Sequence, residues 1–265
     1  QVRESASRLV DLAKRNDIPV ILIGHITKEG SIAGPKLLEH IVDTVLYFEG
    51  DFSREFRVLR AFKNRYGSVN ELGLFRMTEQ GLEEVKDKNR IFLNPFRSPS
   101  PGNAVSAAFE GSRTILFEVQ ALVTFSSFSN PRRLSDGFDI NRLLIICAVL
   151  EKHAGLKLGN FDVFINVSGG FNISETSGDL AVAIAIASSL KEKSVEEGSG
   201  FIGEVSLAGE LRPVSQIEKR VQEFRFSGFK RIYVSEGDVE KARGAGFDGE
   251  IIGARTVSQV LGLVF

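Results

Sequence analysis

The 265-residue sequence has very little of three things: cysteine, net charge and long apolar runs. Cys147 is its single cysteine, which excludes a disulfide framework and a cysteine-based zinc site within the chain. The formal net charge of −1 points to no class of partner, so any surface for a polyanion has to come from local clusters of cations. The apolar run around Cys147, residues 143–150, is too short to cross a bilayer. The sequence therefore predicts neither a metal site nor a membrane span.

The composition that remains is that of an ordinary globular protein. Hydrophobic residues make up 43% of the chain and charged residues 25%. The length suits two modest domains or one large one. We expect Cys147 to be a buried small hydrophobe.

The first half of the chain has the pattern of the later part of an α/β sheet domain. Apolar residues at helical spacing predict a helix that runs almost from residue 1 to Ala13, without a capping residue before it, as in a chain cut from something longer. The continuous apolar run at residues 18–24 predicts a strand buried on both faces, as in a parallel sheet covered by helices. Residues 36–41 predict a short helix, and residues 42–48 and 56–62 predict further strands.

The first half ends with a hairpin predicted at residues 70–85, and the proline-rich residues 94–102 are interpreted as an interdomain linker. The second half, after this linker, has an α+β or α/β pattern. Beyond the linker, strands are predicted at 104–109, 114–123, 161–167, 201–207 and 231–234, and helices at 141–151, 179–190 and 217–226.

One short stretch, residues 63–67 (Lys-Asn-Arg-Tyr-Gly), follows the strand predicted at 56–62. The strand end therefore delivers an ammonium, an amide and a guanidinium into one loop. Gly67 can take a positive φ at little cost, so the loop can turn sharply there. Two cations held by a rigid strand end suit a polyanion, either a nucleotide phosphate or a nucleic-acid backbone. An ordinary basic turn on a solvated edge is the alternative.

Seven motifs occur in a characteristic order along the chain. They are residues 24–30 (Gly-His-Ile-Thr-Lys-Glu-Gly), 33–36 (Ala-Gly-Pro-Lys), 63–67, 70–73 (Asn-Glu-Leu-Gly), 130–133 (Asn-Pro-Arg-Arg), 174–177 (Ser-Glu-Thr-Ser) and 203–210 (Gly-Glu-Val-Ser-Leu-Ala-Gly-Glu). This set resembles the RadA/Sms family of RecA-like DNA repair ATPases over nearly all of the chain. The signature Lys-Asn-Arg-Phe-Gly is specific to that family, and Tyr66 stands here at its Phe position, which keeps the ring.

The resemblance implies an α/β fold in two parts. Residues 1–93 would be the C-terminal part of a RecA-like ATPase sheet domain and residues 94–103 a linker. Residues 104–265 would form a Lon-protease-like α+β domain that is proteolytically inactive.

Two parts of the family pattern do not occur in this sequence: a Gly-x4-Gly-Lys-Ser/Thr phosphate loop and a four-cysteine zinc module. Both precede the matching region in the family. Without the phosphate loop no backbone cradle holds the β- and γ-phosphates, so this segment alone is not expected to hydrolyse ATP. ATP with Mg²⁺ is expected in the full-length parent, and zinc only in its N-terminal part.

The resemblance implies nucleotide-site roles for three residues. Lys63 and Arg65 are expected to reach the γ-phosphate side of an ATP bound by a neighbouring subunit and to stabilise charge during phosphoryl transfer. His25, at the end of the strand predicted at 18–24, is expected to sense the γ-phosphate. A satisfied core histidine is the alternative for His25.

Four further cations are expected to face DNA. Lys28 and Lys36 belong to the loop that corresponds to the DNA-facing loop of RecA-like rings, where phosphate contact is the expected chemistry. That loop contains no aromatic residue, so base stacking is not expected there. Arg132 and Arg133 are expected to form a second DNA-facing patch. A merely flexible loop and a plain salt-bridged pair are the respective alternatives.

A Lon-type peptidase pairs a serine nucleophile with a lysine base. Matching the motifs places Thr176 at the nucleophile position and Glu218 at the base position. Ser177 and Lys219 are each one position away, so a shifted register would restore a dyad. The mismatch favours a domain that builds a ring and contributes DNA contact.

The implied parent is a hexameric, ATP-driven DNA motor that promotes branch migration in recombinational repair. Its expected partners are single-stranded or branched DNA, a RecA-type recombinase and further copies of itself. One alternative is a DNA-binding ring scaffold without ATPase activity, and another is a peptidase that uses Thr176 or Ser177. The expected location is the bacterial cytoplasm, or a plastid or mitochondrion in a eukaryote.

Overall fold

The computed structural model describes residues 2–24, 38–49, 56–69, 72–85, 99–110, 113–168 and 172–265. The chain divides into two compact units, residues 1–84 and residues 85–265. The division falls before the linker predicted at 94–103, of which residues 94–98 lie outside the described residues. Each unit has its own sheet.

The described part of the first unit contains a helix near its start and a four-stranded sheet. Its elements are α1 (Val2–Asn16), β1 (Thr44–Glu49), β2 (Phe56–Asn64), β3 (Leu72–Thr78) and β4 (Gly81–Glu84). The strands follow one another in the order β1-β2-β3-β4, and each pair is antiparallel. The predicted hairpin is confirmed, because β3 and β4 pair around a tight turn in which Thr78 faces Gly81.

The strand predicted at residues 18–24 is wrong. These residues have no regular secondary structure, and the side chains of Ile21 and Ile23 are almost fully exposed. A strand buried on both faces needs a neighbour on each side, and no described strand of the first unit pairs with this run. An apolar composition alone does not supply the pairing partner that a strand needs.

The second unit is built on a seven-stranded mixed sheet with the order β13-β12-β9-β5-β6-β8-β7. The strands of this unit, two of which lie outside the seven-stranded sheet, are β5 (Asn103–Glu110), β6 (Arg113–Phe125), β7 (Arg133–Asp136), β8 (Phe161–Val167), β9 (Ser199–Phe201), β10 (Glu204–Val205), β11 (Leu211–Arg212), β12 (Arg231–Ser235) and β13 (Glu250–Ala254). Four of the neighbouring pairs are parallel, and β6 pairs antiparallel with both β5 and β8. The short strands β10 and β11 form a separate antiparallel ribbon.

Within the described residues of this unit, five helices accompany the sheet. They are α2 (Ile140–Ala154), α3 (Asp179–Lys191), α4 (Ile217–Phe226), α5 (Val239–Gly244) and α6 (Val257–Val264), with short 3₁₀ turns at Thr176–Gly178 and Glu236–Asp238. The alanine-rich helix α3 is buried almost along its whole length and packs on β5 and β6. The chain is therefore a mixed α/β protein, as its sequence predicts.

Helix α2 shows how local sequence sets the ends of these elements. The Asp139 carboxylate caps its N-terminus by accepting the backbone N–H of Arg142 at 2.8 Å. Gly155 ends it in the left-handed conformation, with φ of 69°. Cys147 is buried on this helix, and burial raises the pKa of its thiol to about 11.

Most of the predicted elements of the second unit are confirmed, and one is broken in two. The strand predicted at 201–207 forms as β9 and β10, with a bend at Ile202 and Gly203. The bend arises because the Ile202 N–H donates to Tyr233 of β12, whereas the Gly203 carbonyl accepts the N–H of Leu180 at the start of α3. The end of β9 is thus turned towards the helix.

No helix in the described part of the chain is long and apolar enough to span a membrane.

Candidate functional site

The end of β2 and the loop after it carry the two cations predicted to act at a nucleotide, Lys63 in the strand and Arg65 in the loop. Lys63 pairs with Val45 of β1, at the place where the register shifts between Val45 and Leu46. Such an irregularity in an antiparallel pair re-aims the side chains beside it. Lys63 is therefore directed by the β1–β2 pairing rather than by a free loop.

The ammonium of Lys63 is bound to two backbone carbonyls of its own unit. Its Nζ donates to the oxygen of Glu39 at 2.8 Å and to the oxygen of Val42 at 2.9 Å. These carbonyls lie in and just after the turn that closes through the Leu38 oxygen. A cation there satisfies acceptors that the end of a helical turn leaves unpaired. In this structure Lys63 therefore ties β2 to the residue 38–42 turn.

Arg65 is the more accessible of the two cations. Its backbone N–H donates to the Asp43 oxygen at 2.9 Å, and its guanidinium donates to the Asp43 carboxylate at 3.3 Å. The Arg65 side chain is 61% exposed, and Asp43 is shared with the ammonium of Lys14 at 3.8 Å. The backbone of Arg65 is thus fixed, whereas its guanidinium keeps most of its surface open to a ligand.

Asn64 and Gly67 shape the loop through contacts inside it. The Asn64 side chain accepts the N–H of Tyr66 at 3.3 Å and donates to the Ser68 oxygen at 3.2 Å. Gly67 does not take the positive φ that glycine allows. Glycine is needed for space instead, since a Cβ there would lie 2.8 Å from the Asn64 amide nitrogen. The amide therefore shapes the loop rather than facing a ligand.

A second polar cluster lies in the other unit, between the 3₁₀ turn and α4. Arg220 is completely buried, and its guanidinium donates to both oxygens of the Glu175 carboxylate, at 2.6 and 2.7 Å. It also donates to the Ala107 oxygen at 2.6 Å and to the Ser177 hydroxyl at 2.9 Å, and it lies 4.7 Å from the ring centre of Phe109. A two-pronged contact of this kind is the strongest form of arginine–carboxylate pairing.

The charge of Glu175 depends on this pairing. Burial raises the pKa of its carboxyl, but the Arg220 guanidinium, the Phe109 N–H and the Ser177 hydroxyl all lower it. The lowering contributions win, and the pKa of Glu175 lies below its ordinary value. Glu175 is therefore a carboxylate at neutral pH, and the cluster is an ion pair.

The residues considered for a peptidase dyad do not form one. Ser177 donates its hydroxyl proton to Glu175 at 2.8 Å and to the Ala107 oxygen at 3.2 Å, and its described cationic partner is Arg220. The Thr176 hydroxyl donates to Glu204 at 2.8 Å. The ammonium of Lys219 lies over the Phe109 ring at 5.7 Å. Within the described chain no lysine ammonium hydrogen-bonds either hydroxyl, so neither of the two has an amine base.

The two arginines predicted to face DNA are both held by the second unit. Arg132 binds the buried Asp162 through its backbone N–H at 2.6 Å and through its guanidinium at 2.8 and 3.1 Å. The Arg132 N–H and then its guanidinium lower the pKa of Asp162. Arg133 donates to the carbonyls of Phe161 at 2.5 Å and Leu158 at 2.9 Å. Arg132 is half exposed and Arg133 less so.

The remaining predicted site residues, His25, Lys28 and Lys36, lie outside the described residues, and their roles stay predictions. Within the described ranges no group of three or more His, Cys, Asp or Glu side chains could hold a metal ion.

Arg220 is the site residue that sequence reasoning missed. It lies on the apolar stripe of α4 together with Ile217, Val221 and Phe224, all of which are buried. A charged residue on such a stripe requires a buried partner. That requirement was the signal in the sequence, and Glu175 is the partner.

Comparison with known proteins bears on the whole chain. It is 48% identical over 264 residues to "DNA repair protein RadA" of Bacillus subtilis (strain 168), which covers 98% of this chain and 57% of that protein. It is 47% identical over its whole length to the proteins of the same name from Streptococcus pneumoniae and Pseudomonas aeruginosa, covering 63% and 58% of them. The family described as "Subunit ChlI of Mg-chelatase" matches residues 145–238. The chain thus spans less than two thirds of the relatives it matches.

A match that extends through both units marks the chain as a homologue of these DNA repair proteins, not as a protein that shares a single domain with them. The chain belongs to the RadA/Sms family.

Proposed function

We propose that the full-length parent of this chain is an ATP-driven DNA motor that acts in recombinational repair by promoting branch migration. The parent would be a hexameric ring that works on single-stranded or branched DNA beside a RecA-type recombinase. The relatives' name supports a role in DNA repair, and their bacterial origin supports a bacterial cytoplasmic location.

The observation that carries the nucleotide-site proposal is the geometry of Arg65. Its backbone is fixed against Asp43, whereas its guanidinium is mostly open to solvent. A pre-positioned guanidinium with free donors is suited to stabilising charge on a transferring phosphoryl group. In a ring, Arg65 would reach the ATP held by the phosphate loop of the neighbouring subunit.

Lys63 would act at the same phosphate. It would exchange the carbonyls of Glu39 and Val42 for phosphate oxygens, a charge-assisted contact that is stronger than a neutral one. Movement of Lys63 would also release the residue 38–42 turn, and this would couple nucleotide state to the rest of the first unit.

The test is a subunit-mixing experiment with the full-length parent. Arg65→Ala should lower the DNA-stimulated ATPase kcat by about a thousandfold, as the loss of an arginine supplied to a phosphoryl-transfer site does. A second variant, in which the phosphate-loop lysine is replaced, should also be inactive. In an equal mixture, about a quarter of the subunit interfaces combine an intact phosphate loop with an intact Arg65, so that about a quarter of the activity should return.

The matched control is Arg8→Ala on α1, whose guanidinium is also exposed and paired with one carboxylate, that of Glu4. This variant should keep wild-type activity. Full activity of Arg65→Ala would refute a role at the nucleotide. A mixture that stays inactive would show that Arg65 acts within its own subunit.

We further propose that His25 senses the γ-phosphate and that Lys28, Lys36, Arg132 and Arg133 contact DNA phosphates. Such contacts predict an affinity for DNA that falls steeply as salt rises. The second unit would be a Lon-protease-like domain that serves the ring without peptidase activity. The Arg220–Glu175 pair, which engages the Ser177 hydroxyl, supports this lack of activity.

A further inference from the structure

Three strands at one end of the second unit's sheet carry apolar side chains on an open face. Leu122 of β6, Phe164 of β8 and Leu134 of β7 lie in one cross-strand row, because Phe164 is the register partner of both leucines. Both leucines are more than half exposed. Residues that share a register position point to the same side of a sheet, so the row forms one continuous surface.

The segment that joins β6 to β7 adds an aromatic ring beside this row. Phe128 in this segment is 58% exposed. The Arg132 guanidinium carbon lies 4.6 Å from the centre of the Phe128 ring and 5.6 Å from that of Phe164. We call Phe128, Arg132 and Phe164 the ring platform.

Asp162 orients Arg132 within this platform. The Asp162 carboxylate accepts hydrogen bonds from Nε and one terminal nitrogen of Arg132. The other terminal nitrogen of Arg132 makes no hydrogen bond to any described residue. Arg133, next in the chain, donates to carbonyls, and no described carboxylate forms an ion pair with it. The platform therefore offers free guanidinium donors and positive charge beside an exposed ring.

We propose that the ring platform binds the unpaired bases of a single-stranded nucleic acid, which stack on Phe128 while Arg132 and Arg133 contact the adjoining phosphates. This inference rests on the proposed function, which places DNA at the two arginines, and adds the bases as a second point of contact. Exposed rings beside cations are the combination that holds single strands without reading their sequence. Duplex DNA has no free base faces to offer and would bind here only through its phosphates.

The first experiment separates bases from phosphates. A fluorescein-labelled oligothymidine and an abasic strand of equal length are titrated with the chain, and anisotropy is recorded. Phe128→Leu keeps apolar area but removes the aromatic face. It should weaken binding of oligothymidine about fivefold and leave binding of the abasic strand unchanged. The loss should persist at raised salt, because stacking is not ionic.

The matched control is Phe226→Leu. Phe226 lies on α4 and is 74% exposed, so it is comparable in type and exposure but distant in sequence from the platform. This variant should bind both probes as the wild type does.

The second experiment reports contact directly. The chain contains no tryptophan, so Phe128→Trp introduces a single indole. Oligothymidine should quench its fluorescence, whereas the indole of Phe226→Trp should respond no more than free tryptophan.

Each outcome has a separate meaning. Wild-type chain that binds neither probe would refute both the proposed DNA contact and the ring platform. Binding of both probes with no effect of Phe128→Leu, or with no quenching at position 128, would refute the platform alone. Light scattering measures the mass of the assembly. If Phe128→Leu lowered this mass relative to the wild type and weakened binding to the same extent, the face would be a contact between copies of the chain, and the proposal would also be overturned.

Discussion

Two arginine–carboxylate pairs in this chain have the same chemistry and opposite surroundings. Arg65 meets Asp43 through one contact of 3.3 Å and is mostly exposed. Arg220 meets Glu175 through two contacts and is completely buried. A solvated pair contributes little to folding and leaves its cation free for a ligand, whereas a buried pair cannot be separated without leaving an uncompensated charge. The environment of each pair, more than the identity of its residues, decides whether the arginine is available to a ligand or contributes to the stability of the fold.

The largest effect is expected at Arg220. Arg220→Ala should lower the free energy of unfolding by about 3–5 kcal/mol, because the Glu175 carboxylate loses its buried partner. Urea denaturation followed by circular dichroism measures this. Replacing both residues by methionine should recover much of the loss, because it removes the charge along with its partner. A single variant as stable as the wild type would mean that the pair is not structural.

The Glu175 pair should also respond to acid. The pKa of Glu175 is lowered on folding, so its contribution to stability is complete above the unfolded value and is lost as pH falls from there towards the folded value. Between about pH 5 and pH 3 the wild type should therefore lose more stability than Glu175→Gln, which has no carboxyl to protonate. In thermal melts across this range, the melting temperatures of the wild type and Glu175→Gln should converge at the acid end. A difference in melting temperature that stays constant with pH would contradict the lowered pKa of Glu175.

The smallest effects are expected in the first unit, and they should differ between its two cations. Arg65→Ala should change the free energy of unfolding by less than about 0.5 kcal/mol, as for most exposed ion pairs. Lys63→Ala should cost about 1–2 kcal/mol, because the carbonyls of Glu39 and Val42 lose a charged donor. The same urea titrations measure both. An equal cost for the two would remove the distinction between an anchored and an available cation.

Sequence reasoning succeeded where a pattern is repeated within one element. The alternation at residues 161–167 and the apolar helices at 141–151 and 179–190 follow from spacing alone, and all three formed. The cations Lys63 and Arg65 were found in the same way, at the end of the strand predicted at 56–62, although β2 itself runs on to Asn64 and includes Lys63.

Sequence reasoning failed where the outcome depends on a partner distant in the chain. Residues 18–24 have the composition of a buried strand, but no described strand pairs with them. Glu175 and Arg220 are far apart in sequence, so their pairing cannot be predicted from either residue alone. It depends on the fold, which brings α4 to the 3₁₀ turn. Gly67 was singled out from the sequence because glycine allows a positive φ. In the structure the position is instead restricted by the space that the Asn64 side chain takes.

The state of Cys147 has a practical consequence. Its thiol is buried, and a pKa near 11 keeps it protonated at neutral pH, so it reacts slowly with maleimides. A cysteine placed at an exposed position of this chain would then be modified almost alone, without removal of the native residue. The chain is thus ready for single-site attachment of a dye or spin label, for instance at position 65 to follow the cation loop or at position 226 as a reference.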